Sequence, residues 1–220
     1  MKAQGKCVLY AGAMALALVN VALAGTIDVG GGWRASWPTP PGGLDIQVDE
    51  VTPQFVKIRI VKDFTAPPTG GVFEPRVIDF VQIKPDAETV PQIIISQETI
   101  SNLTGAPWTD YHWAVFNQGE VWFKVPESAA FDVTPFANKA FSDPYQIFND
   151  PNRATDLDVD GGLVPPGGVF SPGAVAGDLC IGIDLTASVP VSFTFKQFPT
   201  PEPAGLVLVT LGALALRRRG

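Results

Sequence analysis

The chain predicts an all-β fold, a single antiparallel β-sandwich of jelly-roll or immunoglobulin-like kind. Two observations point there. Apolar and polar residues alternate with period two in run after run, and 21 prolines and 22 glycines spread through the 220 residues leave little room for long helices. Solenoids and propellers are excluded because no tandem repeat of fixed period is present. A closed barrel is the second architecture compatible with such a pattern.

The strands follow in order. Residues 54–61 (QFVKIRIV) set Val56, Ile58 and Ile60 on one face, and residues 189–198 (VPVSFTFKQF) set Val191, Phe193 and Phe195 against Ser192, Thr194 and Lys196. Between them, residues 76–83, 92–96, 111–116, 120–125 and 178–185 read the same way, giving about seven short strands. The breaks fall at PTPPGG, APPTGG, NQGE, VPPGG and SPG, where proline fixes φ and glycine permits positive φ.

Both ends stand apart from this pattern. Residues 1–24 carry Lys2 and Lys6, an apolar stretch over 7–18 and the small-residue triplet Ala22-Leu23-Ala24, the three parts of a secretory signal peptide with cleavage by signal peptidase expected after Ala24. The domain plan is then a signal over 1–24, the sandwich over 25–197, a stiff proline-rich spacer over 198–203, a short apolar helix over 204–216 and a basic tail over 217–220. As a helix the 13-residue apolar run spans roughly 20 Å, short of the roughly 30 Å hydrocarbon layer, so it predicts a transient membrane anchor. Arg217, Arg218 and Arg219 would stay on the cytoplasmic side and leave the body outside, in agreement with the export signal.

Removing both ends changes the charge that matters. Two lysines leave with the signal and three arginines with the tail, and no acidic residue goes with either, so 10 basic residues remain against all 22 acidic ones, a net charge of about −12. Such a surface repels a phosphate backbone, and nucleic acid is excluded as a partner. Cys7 leaves too, so Cys180 stands alone and no internal disulfide forms; the fold must rely on its core. In DLCIGIDL that cysteine reads as a buried, inert strand residue.

Pro201, Glu202 and Pro203, the apolar run and the arginine cluster together resemble the PEP-CTERM sorting signal of exported bacterial proteins. The body also resembles uncharacterised members of that group, through residues 98–123 and 161–173. The resemblance implies an exosortase-type transpeptidase as partner, transient anchoring in the inner membrane, and release or attachment at the cell surface in the setting of exopolysaccharide matrix. It implies no activity for the domain.

The body itself carries few groups suited to chemistry. His112, the only histidine, shares a strand face with Asp110, but no nucleophile-elbow motif accompanies it, and a structural role is expected. In residues 156–162 (DLDVDGG), Asp156, Asp158, Asp160 and Gly161 match the opening of a calcium loop, whereas Gly167 stands where the closing glutamate belongs and Pro165 and Pro166 block the exiting helix. Two readings stand: a calcium site as the one cofactor expectation, or a strand with Leu157 and Val159 inward and three aspartates in water. Trp108, Tyr111, Trp113 and Trp122 lie within 15 residues of one another. Trp108, Asp110 and His112 on one face, with Trp113 as a further candidate, form a carbohydrate platform if the rings are exposed, and the tryptophans are core if not. Asn102 heads an NLT sequon, incidental in a bacterial setting. The expectation is a non-enzymatic surface or matrix protein, with a carbohydrate-binding module and, more distantly, a glycan hydrolase as the other classes.

Overall fold

The computed structural model describes residues 23–38, 43–70, 72–117, 120–186 and 190–201. Fourteen strands are assigned: β1 (Leu23–Gly30), β2 (Trp33–Pro38), β3 (Leu44–Val51), β4 (Val56–Phe64), β5 (Arg76–Gln82), β6 (Gln92–Asn102), β7 (Trp108–Phe116), β8 (Val121–Lys124), β9 (Asn138–Ser142), β10 (Arg153–Ala154), β11 (Asp156–Asp160), β12 (Val169–Phe170), β13 (Leu179–Ile183) and β14 (Ser192–Pro201). A single 3₁₀ turn at Asp86–Glu88 is the one helical element among the described residues.

Two sheets share these strands. One runs β1-β2-β5-β14-β7-β11-β9, and the other β10-β8-β13-β6-β4-β3, with the two-residue β12 also paired to β6. The result is an all-β, sandwich-like architecture. Alternation accounts for the core: β4 buries Val56, Ile58, Ile60, Lys62 and Phe64, and β5 buries Arg76, Ile78, Phe80 and Gln82. Rings from the two sheets meet in the middle. Phe123 of β8 stands edge-on to Phe195 of β14 at 6.4 Å, and Phe64 of β4 stands edge-on to Trp108 of β7 at 5.3 Å.

Three expectations need correction. The pairing is not purely antiparallel, because β4 and β6 run parallel. The chain leaves β4, adds β5 to the opposite sheet and returns to β6, and this excursion is the crossover that parallel neighbours require. The spacer does not begin at 198, since β14 extends to Pro201 and pairs with β7 along its length. Seven strands are also too few. Several of the others, such as β10 and β12, are too short to show an alternating pattern. The signal and sorting segments lie outside the described residues, apart from Leu23 and Ala24 in β1 and Pro201 in β14.

Two bulges decide which side chains enter the core. In β6, Ile58 pairs with Ile95 and Arg59 with Gln97, so Ser96 is an extra residue; the inward parity changes from Ile93 and Ile95 to Glu98, Ile100 and Asn102. In β7, Thr200 pairs with Asp110 and Pro201 with Trp108, so Thr109 is extra. Trp108 thereby turns to the same side as Tyr111 and Trp113.

Candidate functional site

The chemistry-bearing groups gather in the interior, between the sheets. Lys62 enters by strict alternation along β4, Glu98 by the bulge in β6, and Gln197 by alternation behind Phe193 and Phe195 on β14. Gln197 lies opposite Trp113 in the β7 ladder, which brings Tyr111 and Trp113 to the same place. The side chains of Lys62 and Glu98 are 0% exposed, and Gln197 is equally enclosed.

The contacts are close and mutual. Lys62 Nζ donates to Glu98 Oε2 at 2.5 Å and also to Gln197 Oε1. Tyr111 donates its hydroxyl to Gln197 Oε1 at 3.3 Å, and Trp113 donates its indole N–H to Glu98 Oε2 at 3.4 Å. The Lys62 ammonium also stands 5.7 Å from the Tyr111 ring centre. Aromatic rings close the shell, with Phe170 at 5.4 Å from Tyr111 and Phe131 at 6.1 Å from Trp113. Burial pulls the Lys62 ammonium down to about 8, although the charge and hydrogen bond of Glu98 act the other way. Burial, and after it the Glu98 charge, holds the Tyr111 hydroxyl well above its ordinary value, so it remains a donor. Two atoms of the cluster, Glu98 Oε1 and Gln197 Nε2, have no hydrogen-bond partner. In an interior where nearly all polar atoms are paired, such a pair of orphans calls for an explanation.

The outer face of the first sheet holds the aspartates. β11 is extended and antiparallel to both β7 and β9, with Leu157 and Val159 buried and Asp156, Asp158 and Asp160 turned outward. Outward residues on a strand recur at roughly 6.6 Å, so three in a row spread over about 13 Å and do not converge on one ion. Each has a separate partner: Thr155 Oγ1 for Asp156 at 2.6 Å, His112 Nδ1 for Asp158 at 2.6 Å and Asn138 Nδ2 for Asp160 at 2.5 Å. Among the described residues no group of three or more His, Cys, Asp and Glu side chains is arranged to hold a metal ion.

His112 lies flat on Phe198 at 4.9 Å, and its Nε2 is 3.9 Å from Asp110 Oδ1; neither atom has a hydrogen-bond partner. No hydroxyl is therefore in place to be activated by that nitrogen. Burial first, and the charges of Asp160 and Asp158 later, hold the Asp110 carboxyl above the usual carboxylate range. Burial does the same for Asp156.

Trp108 and Trp113 are fully buried and offer no face to a sugar, which corrects the platform reading. The bulge at Thr109 is the reason for Trp108, which would otherwise share a face with Asp110 and His112. Trp122 alone of the three lies on the outside. It covers Gly182, where any Cβ would meet the indole at 2.8 Å, and carries the Arg153 guanidinium over its ring at 4.0 Å. Asn102 is fully buried, donating to the carbonyls of Ala106, Val164 and Pro165, so the sequon is structural. Cys180 is buried on β13, with its thiol pushed up by burial.

Sequence reasoning passed over the interior cluster. Lys62 and Gln197 each continue an alternating apolar face by one step, a visible signal; Glu98 depends on a bulge that leaves none. Pro201 closes β14, while Glu202, Pro203, Arg217, Arg218 and Arg219 lie outside the described residues. Among the described residues no helix is long and apolar enough to cross a membrane. Compared with protein-family models, with curated proteins and with solved structures, the chain matches none.

Proposed function

We propose that this chain is an exported structural protein of the bacterial cell surface or exopolysaccharide matrix, held briefly in the inner membrane by its tail, processed by an exosortase-type transpeptidase, and without turnover of its own. One observation carries the reading: where the tail is attached. Pro201, first residue of the sorting motif, is also the last residue of β14, and β14 lies inside its sheet between β5 and β7. A load applied through the tail meets a strand bonded on both sides, whose Phe193, Phe195 and Gln197 are locked into the core. That is a suitable attachment for a domain tethered by its C-terminal end. The finer jelly-roll or immunoglobulin-like assignment and the sorting helix over 204–216 belong to the same proposal.

Enclosure of Trp108 and Trp113 favours this reading over a carbohydrate-binding module. The acidic surface supports solubility, and association with an acidic polysaccharide would depend on bridging divalent cations. Mass spectrometry of native surface protein tests the proposal. It should find an N-terminus at Gly25 and a C-terminus within residues 201–204, whereas recovery of intact Arg217, Arg218 and Arg219 in that material would sink it.

A further inference from the structure

An amine, a carboxylate and a carboxamide in mutual contact, sealed from water, are the components of an acyl-transfer reaction. We propose that Lys62 and Gln197 join in the folded protein as an intramolecular amide, Nζ of Lys62 to Cδ of Gln197, with Glu98 as the proton carrier and ammonia as the product.

The balance is simple. Proton transfer along the 2.5 Å Lys62–Glu98 hydrogen bond gives a neutral amine and a neutral carboxylic acid. The amine lone pair forms a bond to Cδ, and the carbonyl electrons move onto Oε1, where the Tyr111 hydroxyl at 3.3 Å donates to the developing oxyanion. Glu98 gives its proton to Nε2 and takes one from the attacking nitrogen. The carbonyl re-forms, the bond from Cδ to Nε2 breaks, and ammonia leaves. Nothing is oxidised or reduced, and no co-reactant enters.

Four features of the site favour this step over an inert ion pair. Lys62 touches the carboxamide as well as the carboxylate, so nucleophile and electrophile are held together by the fold, the condition under which intramolecular reactions gain most. Burial brings the neutral amine closer to hand, since it lowers the Lys62 ammonium to about 8. Glu98 Oε1 and Gln197 Nε2, the free oxygen of the proton carrier and the group that departs, are engaged by no hydrogen bond, to each other or to a third group, so the carboxyl is free to turn toward Nε2 and deliver its proton there. Trp113, through its indole N–H, fixes the orientation of Glu98. Gln197 rather than Glu98 is the electrophile because a carboxylate placed beside an amine accepts its proton, while a carboxamide remains open to attack. The two linked positions lie 135 residues apart, and the bond would tie β4 of one sheet to β14 of the other.

The inference stands apart from the sorting proposal, because the bond is internal however the ends are processed. Denaturing mass spectrometry of the folded, purified protein tests it. The wild type should be lighter than its processed sequence by one ammonia, and trypsin should release residues 60–76 covalently joined to the peptide that starts at Gln197. Glu98→Gln keeps both reacting partners but should show the unmodified mass, as should Gln197→Leu. A folded wild type of unmodified mass overturns the proposal whether or not the variants fold. Loss of water, with Lys62 joined to Glu98, overturns the choice of electrophile, and a linked Glu98→Gln variant overturns the role given to Glu98.

Discussion

Two contacts between titratable side chains in this molecule have almost the same distance and opposite settings. Lys62 and Glu98 meet at 2.5 Å with both side chains 0% exposed, and His112 and Asp158 meet at 2.6 Å with side chains 23% and 47% exposed. Water screens the outer pair, and its loss should alter stability by no more than about 1 kcal/mol. The inner pair has no such relief. Its charges are desolvated, each depends on the other, and proton transfer between them becomes an accessible way to shed charge. Distance alone therefore says little about what a pair does; enclosure turns the inner one from a surface decoration into a place where chemistry can proceed.

The largest test of that contrast removes one inner partner. Lys62→Met leaves Glu98 enclosed without its counter-charge and should reduce stability by about 3–5 kcal/mol, read from the denaturant midpoint. The double variant Lys62→Met, Glu98→Leu separates an ion pair from a covalent tie. A simple buried pair replaced by apolar residues of similar size should return to wild-type stability or exceed it. If the amide forms, the double variant loses the closure of a loop of 135 residues and should stay below wild type by about 5 kcal/mol on the chain-entropy estimate. Recovery to the wild-type midpoint would count against the amide.

Comparable in size is the loss of a core ring that packs beside Tyr111. Trp108 packs edge-on against Phe64 and Phe73, at 5.3 and 6.2 Å, and is fully buried. Trp108→Ala should cost about 3–5 kcal/mol in thermal or chemical denaturation. A ring serving as an exposed sugar platform would show almost no change in stability, so a small effect would reopen the carbohydrate reading.

How much of this was legible in the sequence follows from the period-two rule and its interruptions. The strand runs located β4, β5, the first half of β6, β7, β8, β13 and β14, and alternation predicted the inward faces of β4 and β14, because a half-buried strand writes its burial into every second residue. It also predicted the strand reading of residues 156–160, with Leu157 and Val159 inside. Bulges are where it failed. A single extra residue, Ser96 or Thr109, inverts the parity of everything beyond it, so Glu98 could not be assigned to the core or Trp108 removed from the outer face. Partner choice was equally hidden: the parallel pairing of β4 with β6 is a property of the whole topology, and no local pattern records it.

The smallest test returns to the outer face. Asp110 and Asp156 hold their carboxyls above the ordinary range, chiefly through burial, so in the folded state they bind protons more readily than in the unfolded chain. The sign follows directly: stability declines as pH rises from the ordinary carboxylate value through the raised one, and the loss is complete at neutral pH. Asp110→Asn, which fixes a neutral group of the same shape, should therefore raise the neutral-pH melting temperature slightly, by the equivalent of less than about 1 kcal/mol given the partial exposure of the site. Near pH 3, where the wild-type carboxyl is largely protonated in both states, the two proteins should melt within about 1 °C of each other. The His112 ring 3.9 Å away acts in the opposite direction, since its attraction lowers the Asp110 value. A variant less stable than wild type at neutral pH would mean that this attraction outweighs burial, and that the Asp110–His112 contact resembles the inner pair more closely than its exposure suggests.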